Sequence, residues 1–270
     1  AEFLKMPDEF LANEHTRGFY GDLVHNSKAV YQRYLSWYDG NPANLNKLQP
    51  TDAGKRYVDL AGGMDALLVS ARKSFDAGDY RWVAELVNHA VFADPTNLDA
   101  RELQADTLEQ LGYQAESATF RNAYLMGAQE LRNGPPPPVE VGARARGMTR
   151  AMTIGQVFDT LAVRLMQEQV GGLATTINWN FIDMAGTPDQ SWVLALSNRT
   201  LLSTQGRHDD AADATIHIKR ETLIDVITQA TTFLQEMTDG VITVDGDAAA
   251  LLNIFGNLEK FVTGFAIVEP

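Results

Sequence analysis

Cysteine is absent from this 270-residue sequence, so the chain forms no disulfide, no thiolate zinc site and no cysteine nucleophile. Basic residues are also scarce, because 22 Lys and Arg stand against 35 Asp and Glu, a formal net charge of -13. That balance argues against nucleic acid or an anionic membrane as the main partner, since both attract clustered Lys and Arg. No stretch approaches the roughly 20 apolar residues that span a bilayer. Residues 1–5 lack the apolar core of a signal peptide.

Apolar residues, in contrast, are plentiful. They make up 45% of the chain, and a length of 270 residues is typical of about two domains. Four consecutive prolines at residues 135–138 follow Asn133 and Gly134. Because prolines remove backbone donors and cannot continue a helix, the main domain boundary is predicted there. A cluster of turn-forming residues at 39–42 marks a second break.

The middle of the chain has a helical pattern. Residues 51–131 place apolar side chains such as Val83 and Val87 at the spacing of one helix face. Two similar segments, residues 75–80 and 108–113, lie 33 residues apart, and this period is typical of paired helical hairpins. Two such units are too few for a solenoid, so their exposed apolar faces need a partner from the same chain or a second copy. An all-α, repeat-like domain is predicted.

The chain beyond the prolines has the pattern of an α/β domain. Thr153 and Gln156 form a capping box at the start of an amphipathic helix. Alternating apolar and polar residues at 173–181 predict a half-buried strand. Further strands are predicted at residues 192–196, 200–203, 214–218 and 241–244, and helices at residues 220–237 and 247–261. A meander is the simplest connection, which predicts an α/β sandwich with a mainly antiparallel sheet.

The first forty residues hold the densest group of reactive side chains. If residues 27–38 are helical, Lys28 and Tyr31 share a face with His25 and could bind a sulfate or phosphate oxygen by charge-assisted hydrogen bonds. The competing interpretation is an aromatic-rich packing helix with solvated charges at its start. His15 and His25 are ten residues apart, which is not a recognised ligand spacing, so no metal site is predicted within this chain.

The last domain carries broad apolar helix faces, more than a small sheet needs. The excess could line a tunnel for an aliphatic chain. The alternative is an ordinary α/β core, because stripes at helical spacing usually pack into cores. The tunnel hypothesis rests on Leu223, Ile227, Leu251 and Phe255.

Three segments carry a family resemblance. They read NEHTRGFYG at residues 13–21, HNSKAVYQRYL at 25–35 and WYDGNPANL at 37–45. Together they closely resemble the end of the catalytic domain in linear alkyl sulfatases of the metallo-β-lactamase superfamily. The middle helices resemble that family's dimerisation domain, and residues 216–218 and 240–247 resemble its sterol-carrier-protein-like C-terminal domain. The resemblance therefore covers the whole chain.

This resemblance implies an activity and a layout. The activity is hydrolysis of long-chain alkyl sulfates, such as dodecyl sulfate, to alcohol and sulfate with two zinc ions held by an HxHxDH motif and later acidic and histidine residues. No HxHxDH occurs here, so the zinc ligands are expected in a missing N-terminal portion and the chain is expected to be inactive alone. The implied layout is a catalytic-domain end at 1–50, a helical dimerisation domain at 51–134, a proline-rich linker at 135–147 and a sterol-carrier-like domain at 148–270.

The resemblance also implies site residues and partners. His25 and Lys28 would face the substrate sulfate, with Tyr31 and Arg17 as further contributors. The expected partners are a second copy of the chain in a homodimer, an alkyl sulfate or other aliphatic ligand, and the N-terminal catalytic portion; the implied compartment is the bacterial periplasm or exterior. The competing function is a non-enzymatic carrier of a hydrophobic ligand or an assembly module. Residues 13–45 favour the enzyme, because a pure carrier has no reason to keep a pocket-edge segment.

Overall fold

The computed structural model describes residues 4–138, 142–261 and 263–270 and divides the chain into two compact units. The first unit is Ala1–Pro138 together with Gly264–Pro270, and the second is Val139–Thr263. Each unit has its own hydrophobic core. The limits of the four predicted domains stay predictions, but the last seven residues lie with the helical unit and not with the sheet. Within the described residues, no helix is both long and apolar enough to cross a membrane.

The first unit is helical, as the sequence predicts. Asn97 begins one of its helices by accepting a hydrogen bond from the backbone N–H of Ala100 at 2.9 Å, which fits its capping role. The helices are α1 (Asp8–Leu11), α2 (Leu23–Leu35), α3 (Pro50–Leu60), α4 (Met64–Asp76), α5 (Tyr80–Ala93), α6 (Leu98–Gln114) and α7 (Ala118–Asn133).

The core of the first unit lies among α4 to α7, and α3 packs against α5. Its centre is formed by fully buried side chains that include Leu67, Val83, Val87 and Val91. Helices α1 and α2 contribute no buried residue. The segment that contains the predicted sulfate contacts is therefore held at the surface of the unit.

Helices α3 and α5 approach each other closely at one glycine. Gly54 is buried in α3, and a Cβ atom there would lie 2.5 Å from the backbone oxygen of His89 and 2.9 Å from the backbone nitrogen of Ala93. One turn further along α3, the ring of Tyr57 stacks on the imidazole of His89 with 4.0 Å between centroids. Burial of this imidazole lowers the pKa of His89 below its ordinary value.

The second unit is a five-stranded sheet with helices. Its sheet order is β3-β2-β1-β4-β5, and the only parallel pair among these strands is β1 with β4, so a mainly antiparallel sheet is confirmed. The strands are β1 (Thr175–Phe181), β2 (Ser191–Ser197), β3 (Thr200–Gln205), β4 (Ala214–Ile218) and β5 (Thr243–Gly246), and the helices are α8 (Gly142–Ala151), α9 (Ile154–Arg164), α10 (Arg220–Ile227), α11 (Phe233–Thr238) and α12 (Ala250–Phe255).

The predicted meander holds for β1 to β3 and is wrong for β4. Strand β4 crosses back and pairs parallel with β1, which places β1 in the centre of the sheet. The physical reason lies in β1 itself, where Ile177, Trp179 and Phe181 are fully buried and Asn178 on the opposite face is also buried. A strand covered on both faces is stable in the middle of a sheet, not at its edge.

Two predicted helices are shorter in the structure. The helix predicted at residues 220–237 is interrupted because Gln229 adopts a φ of 61° and Thr232 caps a new helix by accepting from the backbone of Gln235. The last helix ends at Phe255, since Leu258 forms a β-bridge and the chain leaves the helical path. The capping box before α9 is confirmed.

Candidate functional site

Helix α2 presents the predicted sulfate contacts. It begins at Leu23, earlier than expected, because the carboxylate of Asp22 accepts a hydrogen bond from the backbone N–H of His25 at 2.7 Å. It ends at Leu35, since Ser36 has a φ of 71°. His25, Lys28 and Tyr31 all belong to this helix.

Lys28 and Tyr31 come together at a small surface pocket of about 360 Å³ that Gln32 and Trp37 also line. An ammonium, a phenol and an amide provide hydrogen-bond donors in this pocket, and the indole provides an apolar wall. Such a donor set can bind one face of a sulfate oxyanion, most strongly through the charged Lys28. The arrangement is an edge, not an enclosed site, because Tyr31 is 43% exposed.

The other two predicted contacts are engaged elsewhere. The imidazole of His25 packs edge-on against Phe120, with 5.5 Å between centroids. The guanidinium of Arg17 pairs with Glu116 and lies 5.7 Å from the centre of the Phe19 ring. The structure therefore brings together two of the four predicted sulfate contacts, and the roles of all four stay predictions.

The second unit contains a larger cavity, of about 780 Å³, beside helices α8 to α10. This volume lies within the range typical of small-molecule sites. Its apolar lining consists of Met148, Met152, Val163, Ile227 and Phe261, and its polar lining includes Gln156, Asp159, Thr160, Arg164 and Lys260.

The charges of this cavity are mixed but favour an anion, because two cationic side chains accompany one carboxylate. The guanidinium of Arg164 is oriented by donating through Nε to the backbone oxygen of Glu259 at 2.9 Å. Lys260 follows directly in the chain and lines the same space, while Asp159 adds one negative charge. The arrangement can accommodate an aliphatic chain along its methionines with an anionic head group near the two cations.

Only one of the four predicted alkyl contacts lines this cavity, namely Ile227. Leu223 and Leu251 are 1% and 3% exposed and belong to the hydrophobic core. Phe255 packs against Phe233, with 4.5 Å between ring centroids. The methionine-lined wall was not predicted, although Met148 and Met152, four residues apart, carry the signal of one apolar helix face.

The side chains of the described residues also bear on the two zinc ions that the resemblance implies. In the described part of the chain, no group of three or more His, Cys, Asp or Glu side chains comes close enough to hold a metal ion. The described residues therefore offer no ligand set for the two zinc ions, whose ligands the resemblance places outside this chain.

Comparisons with known families cover nearly the whole chain. The family model described as alkyl sulfatase dimerisation matches residues 1–134, and the one described as alkyl sulfatase C-terminal matches residues 143–270. The chain belongs to the alkyl sulfatase family. Among curated alkyl sulfatases, the (R)-specific secondary-alkylsulfatase of Pseudomonas sp. is 44% identical over all 270 residues, and the alkyl/aryl-sulfatase BDS1 of Saccharomyces cerevisiae is also 44% identical over the same length.

The solved structures agree with this assignment. The stereoselective inverting sec-alkylsulfatase Pisa1 from Pseudomonas sp. superposes on the full chain with a TM-score of 0.89 at 44% identity, and the match covers 42% of that alkyl sulfatase. The chain spans 40% and 41% of the two curated relatives. It therefore corresponds to the dimerisation and C-terminal parts of an alkyl sulfatase.

Proposed function

We propose that this chain is part of an alkyl sulfatase that hydrolyses long-chain alkyl sulfate esters, such as dodecyl sulfate, to an alcohol and sulfate. The observation that carries the proposal is the 44% identity over all 270 residues to a relative named as a secondary alkylsulfatase. The identical residues are spread over both units, because the match covers the whole chain. The similarity therefore does not reflect a single domain type that unrelated proteins share.

In this proposal the helical unit holds two copies together as a homodimer. Support comes from large apolar side chains that the unit leaves exposed, such as Leu60, Val69 and Leu98, which are 82%, 72% and 70% exposed. Exposed apolar surface of this kind marks association sites when it is contiguous. A second copy is the natural partner, because most soluble homo-oligomers are twofold dimers.

The second unit takes the alkyl chain. Its cavity of about 780 Å³ has a methionine-rich lining, and the flexible thioether side chain adapts to aliphatic ligands of different shape. Ile227 is the predicted alkyl contact that this cavity supports. Leu223, Leu251 and Phe255 would act indirectly, by maintaining the core behind it.

The α2 pocket provides one edge of the sulfate site. Lys28 supplies the charge and Tyr31 a hydroxyl donor, and both line the same space. His25 and Arg17 remain in the proposal through the resemblance alone. Two zinc ions belong to the proposal as cofactors whose ligands lie outside this chain; when bound, they would supply activated water for ester cleavage.

The decisive experiment compares the complete enzyme with the 270-residue chain alone. Sulfate release from dodecyl sulfate and zinc content are measured for both proteins. The expected result is an active, zinc-containing enzyme and an inactive chain without zinc. Hydrolysis by the chain alone, or a complete enzyme that leaves alkyl sulfates intact, would contradict the proposal.

A variant of the complete enzyme tests the sulfate contact. Lys28→Ala removes a charge-assisted hydrogen bond of about 1.5–3 kcal/mol, so kcat/KM for dodecyl sulfate should fall roughly 10- to 150-fold. Lys28→Arg keeps the charge and serves as the matched variant, with a smaller loss expected. Equal kcat/KM for the parent and Lys28→Ala would remove Lys28 from the site.

The cavity also favours a second candidate function for the chain by itself, the binding of an aliphatic ligand without chemistry. Binding of a fluorescent fatty-acyl probe, measured beside hydrolysis of dodecyl sulfate, distinguishes the two functions. If the complete enzyme binds the probe but does not hydrolyse dodecyl sulfate, the chain is a carrier. Binding together with sulfate release would indicate that the cavity serves the sulfatase.

A further inference from the structure

The end of the chain is held by a carboxylate of the helical unit. The side chain of Glu130 in α7 accepts hydrogen bonds from two consecutive backbone N–H groups, those of Ile267 and Val268, at 2.6 and 2.8 Å. Glu130 is only 7% exposed. A buried carboxylate needs such donors, because burial without partners is costly. Both contacts are with the main chain of a bend at Ile267 and Val268, so they recognise the bent backbone more than a particular side chain.

A second charged contact recognises one side chain of the same segment. The guanidinium of Arg101 in α6 pairs with the carboxylate of Glu269, and their side chains are 16% and 12% exposed. Arg101 also donates to the backbone oxygens of Leu131 at 2.8 Å and Pro95 at 3.1 Å. These bonds to the helical unit fix the guanidinium in place, so the acidic residue meets a preorganised partner.

The surface between the two charges is shaped for an apolar side chain. Val268 packs against the core of the helical unit. Room for it depends on Gly127, where an added Cβ would lie 3.2 Å from Val268 Cγ1 and 3.1 Å from Leu108 Cδ1. The segment thus makes a main-chain contact, an apolar contact and a charge contact in succession.

We propose that this face of α6 and α7 is a peptide-recognition site whose ligand is a bent segment in which two consecutive backbone N–H groups face one carboxylate and an apolar residue is followed by an acidic one. In this structure residues 267–269 of the chain's own end fill that role. Glu130 is buried and Arg101 is partly buried, and both of these charged side chains of the helical unit find partners in residues 267–269. A segment that merely rests on a surface does not require a buried carboxylate beneath it. The proposal is independent of the sulfatase activity.

Amide hydrogen exchange in the full chain provides the first test. Glu130→Gln keeps the shape of the side chain but removes the charge and one acceptor, so the Ile267 and Val268 amides should exchange roughly 10- to 100-fold faster. Glu102→Gln, at an exposed position of α6, is the matched control and should leave both rates unchanged. If both amides already exchange at free-peptide rates in the parent chain, the proposal is wrong.

A synthetic peptide of residues 263–270 provides the second test. Added to a chain that ends at residue 263, it should bind and raise the melting temperature, while a peptide with Glu269→Arg should do neither. Failure of the parent peptide to bind to a folded truncated chain would overturn the proposal. If the truncated chain does not fold, exchange of the Ile267 and Val268 amides in Glu130→Gln decides alone, with unchanged rates counting against the site.

Discussion

Gly54→Ala is the sharpest test of how the helical unit is packed. In most helices this substitution is favourable, because alanine exceeds glycine in helix propensity by about 0.8–1.0 kcal/mol. At Gly54 the new Cβ would lie 2.5 Å from the His89 oxygen, about 0.9 Å short of ordinary contact at 3.4 Å. The neighbouring atoms are backbone, so no change of side-chain rotamer relieves the overlap. Helices α3 and α5 would have to move apart.

The magnitude follows from these opposing effects. Overpacking of a well-packed core costs about 1–3 kcal/mol, and the gain in propensity offsets up to about 1 kcal/mol of it. Because the clash is with backbone atoms, the cost should lie in the upper part of this range, at about 2–3 kcal/mol. We therefore expect a net loss of about 1–2 kcal/mol and a fall in the melting temperature of roughly 2–8 °C, at about 2–4 °C per kcal/mol. Gly147→Ala is the matched control, since Gly147 lies in α8 with nothing within 4 Å of its added Cβ. That variant should be stabilised by up to about 1 kcal/mol.

Differential scanning calorimetry at one protein concentration is the suitable assay, because it resolves units that unfold separately. Gly54→Ala should lower the transition of the helical unit, and Gly147→Ala should raise that of the second unit. A Gly54→Ala chain that melts at or above the parent temperature would refute the close contact between α3 and α5.

Three further predictions concern pH, assembly and ligand binding. Burial lowers the pKa of His89 below 6.5, so the unfolded chain takes up a proton at a higher pH than the folded chain, and the free energy of unfolding should fall as the pH drops below about 6.5. Urea denaturation at several pH values should show that this pH dependence vanishes in His89→Gln. It should persist in His208→Gln, which replaces an exposed histidine. Leu60→Glu should raise the dissociation constant of the proposed dimer at least tenfold in sedimentation equilibrium. An unchanged dissociation constant would count against a dimer contact at Leu60. Ile227→Asp should weaken fatty-acyl probe binding at least tenfold, whereas Leu234→Asp, at an exposed site, should not.

Local signals in the sequence were sufficient for most elements of the fold. The capping box at Thr153 and Gln156 fixes the start of α9, and the alternation at residues 173–181 corresponds to β1. Apolar periodicity likewise predicts the helices of the first unit. These signals are reliable because each depends on neighbours within a few residues, and such contacts are independent of how the chain closes in space.

The return of β4 to β1 and the position of the chain's end could not be predicted in this way. Pairing between residues 177–181 and 214–218 joins parts of the chain that no local pattern links. The contacts of Glu130 with Ile267 and Val268 join residues that are even further apart in the sequence. A glutamate at an ordinary helix position also gives no sign in the sequence that it will be buried. Only the tertiary structure shows which charged side chains have lost their access to water.

The difference between Leu223 and Ile227 shows why the alkyl contacts were harder to locate than the helices. Both occupy α10 at a spacing of one turn and both belong to its apolar stripe, yet Leu223 is buried in the core and Ile227 lines the cavity. Periodicity reports that a side chain is apolar on one face of a helix, and it cannot separate a packed neighbour from an open space. That distinction depends on where α10 ends, at Ile227 and two residues before the positive φ of Gln229, and on Phe261, which lines the same cavity from a distant part of the sequence. The cavity therefore forms where the end of α10 meets other parts of the unit. Substitutions at that end should change ligand binding more than substitutions in the middle of the apolar stripe of α10.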